Sequence, residues 1–228
     1  MLEEFLQWLG YGLCHQLPER SFFGGGVQVP VCARDTGIYV GFIVSFVVLA
    51  ALHRHRPRIF PGTVGWVVTA AAVAFMGWDG LTSYAGVRET TNLLRLTSGW
   101  GVGYVCAALI LPMLNDVLWA KPSAERLLDP WWRLAVWLVS AGAAVPLLWR
   151  FGSRLGVGYP ILVVFAILGT LTAINLVIVG MFPAFDRAAH RYRDLVVPSA
   201  IAFGLAVLEV WIAGVGRGLL EAAARSVG

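Results

Sequence analysis

Residues 36–52, TGIYVGFIVSFVVLAAL, form an apolar run without a charged side chain, ended at once by the basic turn His53–Arg58. A run of this length and composition reads as a helix crossing a bilayer, because in hydrocarbon every backbone N–H and C=O must be bonded within the segment. Five more such runs follow, at about residues 60–78, 96–119, 131–149, 159–182 and 195–214. Together they predict an all-α, polytopic transmembrane helix bundle of about six spans, with β-alternation absent. Composition agrees: 58% of the 228 residues are hydrophobic and 13% charged, an imbalance no single water-soluble core would bury. The chain then divides into a motif-bearing segment, residues 1–35, and a bundle, residues 36–228.

The net charge of +4 does not point to nucleic acid, because the arginines sit in short clusters between apolar runs. Membrane lipid headgroups are the expected counter-charge. Met1 to Leu13 carries Glu3 and Glu4 and has no basic leader, so no cleavable signal peptide is expected and the first span serves for insertion. Trp78, Trp119, Trp131, Trp132 and Trp149 fall at predicted span ends, where tryptophan anchors at headgroup level.

Dense basic loops mark one side: His53 to Arg58, then Lys121, Arg126 and Arg133, then Arg187, Arg191 and Arg193. The positive-inside tendency places these loops in the cytoplasm of a multi-pass cell-membrane protein and both termini outside it. On the extracytoplasmic face the segment before the first span then shares a compartment with the connection between the second and third spans.

Two polar constellations meet there. Cys14, His15, Cys32 and Asp35 are ligand types for zinc or another divalent ion, and Cys32-x-x-Asp35 lets one turn offer two ligands. Neighbouring Cys14 and His15 are less comfortable, since adjacent side chains point apart. A Cys14–Cys32 disulfide is the competing reading, and small apolar packing is the third, which Cys106 fits best. Residues 24–26, GGG, and Pro30 make a flexible connection that brings the two cysteine pieces together.

The second constellation is Asp79, Arg88, Asn92 and Arg95. Asp79 is a candidate general base or further metal ligand, or simply the ion-pair partner of Arg95. Arg34, Arg88 and Arg95 present planar donors for phosphate or carboxylate, with Asn92 beside Arg95 on a helix face that continues through Gly99 and Gly103. These two glycines are expected to admit the close approach of another helix or of a headgroup. Glu209, in the middle of the last span, is an ionisable group in lipid whose expected hydrogen-bond partner is Asn175. Asp116 is expected to reach the interface at the other side.

At C-H-Q (Cys14–Gln16), E-R-S-F (Glu19–Phe22), C-A-R-x-T-G-I-Y-V-G (from Cys32), D-G-L-T (from Asp79) and N-x-x-R-x-x-x-G (from Asn92), the sequence resembles a family of predicted prokaryotic membrane proteins, domain of unknown function 2085. The resemblance runs from Cys14 to Gly103 and implies a membrane fold without implying a reaction. The family's second cysteine motif commonly reads C-x-R-C, so Asp35 stands where a third cysteine is usual. That departure weighs against a C-x-x-C redox pair, whose resolving thiol is missing. A Cys/His/Cys/Asp metal site survives it.

Three functions remain open on these residues. The first is a metal-assisted hydrolase or transferase acting on a lipid or lipid-linked anionic substrate, with Asp79, Arg95 and Asn92 catalytic. The second is a small transporter or metal carrier with Glu209 on its pathway. The third is a noncatalytic scaffold stapled by Cys14–Cys32.

Overall fold

The computed structural model describes residues 2–53 and 55–227; Arg54, in the basic turn after the first span, lies outside the described residues. The chain begins with a short helix α1 (Leu2–Tyr11) and an antiparallel hairpin, β1 (Ser21–Gly24) and β2 (Val27–Cys32). Six long apolar helices follow: α2 (Ala33–Leu52), α3 (Thr63–Tyr84), α4 (Asn92–Leu118), α5 (Trp131–Phe151), α6 (Gly158–Gly180) and α7 (Val196–Val227). The chain is thus an all-α polytopic bundle, as its apolar runs predict.

The α2–α4 pair is the spine of the bundle. Gly37 on α2 lies against Leu96, Gly99 and Trp100 of α4 and Gly41 against Trp100, and a β-carbon at Gly99 or Gly103 would overlap the carbonyl of Arg34 or Ile38. Small residues at four-residue spacing on both helices let the backbones touch, as expected of Gly99 and Gly103. Deeper in the membrane, Ser45 Oγ donates to the Tyr104 carbonyl at 2.7 Å and accepts from Trp137 Nε1 at 2.9 Å, so α2, α4 and α5 share one satisfied polar contact. Helices α6 and α7 pack together, with α6 also against α2 and α4; α3 lies on α4. Most of α3 and α5 remains on the outer surface, which is the place for an apolar helix whose solvent is lipid.

Three sequence expectations need correction. First, strands are present. Gly25 and Gly26 carry φ of +59° and +82°, the left-handed pair that a two-residue hairpin turn requires, so the triglycine is a defined turn and not a loose connection. At the opposite end, β3 (Pro57–Ile59) pairs in parallel with β4 (Ser123–Arg126), tying two interhelical loops together. Second, two spans run on. Helix α3 continues through Asp79 to Tyr84 because that carboxylate is neutralised where it lies, and α7 continues well past Gly214. At 1.5 Å per residue the 32 residues of α7 reach about 48 Å, longer than an ~30 Å hydrocarbon core. Its last turns are held by Arg217, which bonds Glu221 at 2.8 Å one turn on and the Tyr11 carbonyl at 2.7 Å. Third, Trp119 is only 5% exposed, unlike Trp78, Trp131, Trp132 and Trp149, and so is no lipid-facing anchor.

Candidate functional site

Asp79 is 0% exposed, yet it is charged-pair territory. Its Oδ1 accepts from Arg88 Nη2 at 2.6 Å and Thr90 Oγ1 at 2.7 Å. Its Oδ2 accepts from Arg34 Nη2 at 2.5 Å and Ser98 Oγ at 3.1 Å. Four donors occupy the roughly four lone-pair positions of a carboxylate. The group therefore joins the start of α2, the end of α3, the 85–91 connection and the start of α4. The arginines that bond Asp79 are Arg34 and Arg88, not the expected Arg95, and its oxygens already accept from four donors within the fold. Arg88 is spent on the same network, since it also donates to Thr82 Oγ1 at 2.9 Å and lies over the Trp78 ring. Ser98 and Thr90 complete the network, and their only sequence signal is that they are small hydroxyls flanking the arginine motif.

The cysteine constellation has the opposite character. Cys14, Cys32 and Asp35 bring their three ligand atoms within 4.8 Å of one another. Cys32 Sγ donates to Asp35 Oδ2 at 3.2 Å, and the Cys32 backbone N–H donates to Cys14 Sγ at 3.2 Å. Tetrahedral coordination of one zinc would set such atoms roughly 3.5 to 3.8 Å apart, so modest side-chain movement suffices. Both cysteines are free thiols, so the structure holds no Cys14–Cys32 staple. His15 is exposed and stands outside this group, because its neighbour Cys14 points inward and adjacent side chains diverge.

Local structure explains why residues 14 and 32 meet. Gln16 adopts a positive φ, and its amide donates to the carbonyls of Gln7 at 2.6 Å and Pro30 at 2.9 Å. Gln28 returns a bond to the Gln16 carbonyl at 2.9 Å, so the C-H-Q segment is sewn to α1 and to β2. From α7, Arg217 Nη1 donates to the Cys14 carbonyl at 2.6 Å. The hairpin delivers Cys32 to the first residue before α2, and Asp35 follows in the first turn of that helix. The two thiols titrate as a pair: a hydrogen bond from Cys32 pulls Cys14 down to about 7, while that same bond, burial and the charge of Asp35 push Cys32 well above the ordinary thiol range.

These three groups open into a cavity of about 280 Å³, whose wall also carries Arg20, Arg34 and Arg95. Arg95 Nη1 donates to Asn92 Oδ1 at 3.2 Å, and Asn92 Nδ2 donates to the Glu19 carbonyl at 3.1 Å, so Asn92 braces the arginine against the turn at residues 18–20 that precedes β1. Arg95 has no carboxylate partner among the described residues. Arg34 faces the cavity while one of its nitrogens holds Asp79; its Nε is buried and unbonded. Arg88 is absent from the cavity wall. Arg20 is present there, and the E-R-S-F motif was the signal for it, since that motif turns the chain from residues 18–20 into β1. Glu209 is elsewhere: it faces outward on α7 and accepts from Asn175 Nδ2 at 3.0 Å, the partner expected of it. It is not part of the cavity wall.

A family model described as "Predicted membrane protein (DUF2085)" matches residues 14–109, a range that contains the cavity-lining residues except Leu13. An uncharacterized protein of Methanocaldococcus jannaschii is 34% identical over 109 residues, covering 48% of this chain and 68% of the relative. An uncharacterized protein of Methanothermobacter thermautotrophicus is 34% identical over 106 residues, 46% of this chain and 91% of the relative. No solved structure matches. The chain is a multi-pass integral membrane protein of six apolar helices, and it belongs to the DUF2085 family of predicted membrane proteins.

Proposed function

We propose that the cavity is the active site of a metal-assisted hydrolase or transferase that takes an anionic, lipid-linked substrate from the membrane. The observation that carries this reading is that Cys14, Cys32 and Asp35 converge at the wall of an open cavity with uncommitted arginine beside them. Structural zinc sites are closed by four protein ligands, whereas three ligands with an open fourth position leave room for water or substrate. A divalent ion there would polarise a substrate oxygen or activate water. Arg95, braced by Asn92, and Arg20 orient the anionic group through planar N–H pairs, and Arg34 adds a third cation whose own position is fixed by Asp79. Leu13, Leu17 and Tyr84 give the cavity an apolar lip toward which a lipid chain can extend. The site faces the extracytoplasmic side, on the argument that the dense basic loops of the opposite face are retained in the cytoplasm.

Elemental analysis of the purified chain, combined with thiol counting, tests the reading directly. One zinc-class ion per chain, lost in Cys14→Ser and in Asp35→Asn but kept in His15→Ala, is the expected result. A wild-type protein that takes up no ion on titration with zinc, cobalt or manganese while both thiols stay reactive removes it.

A further inference from the structure

The opposite end of the bundle carries a second cavity that the first site does not use. It has a volume of about 210 Å³ and opens beside Arg56, Trp119 and Tyr192. Its inner wall at Phe46, Leu114 and Leu176 is shared with an apolar cavity of about 360 Å³ that lies deeper, between α2, α4, α6 and α7. Sharing these side chains, the two make a groove with a polar mouth and an apolar inner part, the barrel, which is open to the outer surface beside Phe165 and Phe203. Along α6 the lining runs from Leu176 to Phe165, eleven residue steps or about 16 Å. That is close to half of an ~30 Å hydrocarbon core. Thr172, the polar residue of the barrel, is satisfied by the Leu168 carbonyl at 2.6 Å.

Arg56 is the arginine of the mouth among the described residues. The Arg56 guanidinium carbon lies 3.2 Å from the centre of the buried Trp119 ring and 5.3 Å from that of Tyr192, which meets Trp119 edge-on. Arg56 has a positive φ, and its carbonyl accepts from Ser123 N at 3.0 Å; the next residue, Pro57, accepts from Asn115 Nδ2 at 2.9 Å. Backbone and ring stacking thus fix the guanidinium while leaving its N–H edge without a carboxylate among the described residues. The acids of this face with visible partners are taken elsewhere: Asp116 by Arg58 and Arg187, Glu125 by Arg133, Asp129 by Arg126, and Asp194 by the backbone of residues 190 and 191. A stacked arginine with free donors is suited to a phosphate oxygen pair.

We infer that this groove holds an anionic phospholipid of the leaflet on that face, its phosphate on Arg56 and one acyl chain in the barrel between α2, α4, α6 and α7. A free phosphate would fill the mouth and leave the barrel empty; the matched depth of the barrel favours the lipid. The inference is independent of the metal reading of the first cavity.

Native mass spectrometry of the full chain, exchanged into detergent containing equal phosphatidylglycerol and phosphatidylcholine, tests it. The wild type is expected to retain one phosphatidylglycerol, and Arg56→Gln to lose that preference by roughly tenfold, as befits a charge-assisted contact. Ala173→Phe, which fills the barrel and leaves the mouth intact, is expected to abolish retention, whereas Arg58→Gln, an equal charge change outside the groove, is expected to keep it. Arg56→Lys, which preserves the charge on a similar stem, guards against misfolding and should retain an intermediate preference. Equal retention by wild type, Arg56→Gln and Ala173→Phe overturns the proposal. Displacement of the lipid by inorganic phosphate alone also overturns it, by showing a phosphate site without a chain site.

Discussion

Asp79 and Asp35 lie at the same end of one bundle, and their surroundings could hardly differ more. Asp79 is sealed from solvent with four donors on its two oxygens. Asp35 sits beside two thiols at a cavity wall, with a single thiol hydrogen bond to it. The first carboxylate has done all its bonding within the fold; the second retains capacity for something from outside. A polar group in a membrane protein is thus to be judged by its spare valences, since saturation marks a fastening and vacancy marks a candidate site. Arg88 and Arg95 divide in the same way: one is spent on Asp79, Thr82 and Trp78, the other faces the cavity on a brace of Asn92.

The sharpest way to break this contrast is Asp79→Asn, which leaves two arginines beside a neutral amide. A loss of about 3–5 kcal/mol is expected for uncovering buried charges, read as a lower melting temperature and lower membrane abundance. If Asp79→Asn instead melts like wild type and only metal uptake or turnover falls, Asp79 belongs to the chemistry and the contrast collapses. Next in size are the paired variants Arg88→Gln and Arg95→Gln. Arg88→Gln is expected to lower stability by about 1–3 kcal/mol through lost charge-assisted bonds, whereas Arg95→Gln is expected to leave the melt unchanged and weaken binding of a soluble phosphate-ester probe roughly tenfold. The reverse pattern would exchange the roles of the two arginines.

The smallest effect concerns the thiols. Cys14 is lowered to about 7, so its thiolate dominates above that pH, and alkylation by iodoacetamide is expected to rise through neutral pH and level off above it. Removing the donor with Cys32→Ala should move the midpoint upward, toward the roughly 8.5 of an ordinary thiol. An unchanged midpoint would show that the two thiols do not share a proton.

Much of this is legible in the sequence. Six spans follow from hydropathy alone, and the close glycine contact of α2 and α4 follows from four-residue spacing. The pairing of Asn175 with Glu209 was readable from two polar residues at similar depth in lipid. The partners of Asp79 were not, because Arg34 is 45 residues away and equally available, on paper, to a substrate. Nor was the burial of Trp119, since its position at a span end says nothing about the Arg56 guanidinium that covers its ring. The hairpin was missed because its strands are short and lie outside the apolar pattern, although the Gly25–Gly26 turn was written in the triglycine.

By itself the sequence determined that this chain lives in a membrane as a helical bundle, because the need to bond every backbone amide internally acts on each twenty-residue window separately. Only the tertiary structure decided which polar side chains are consumed by one another and which remain open. Hydrogen-bond capacity is limited, and how it is shared depends on neighbours that the folded chain brings together from distant positions.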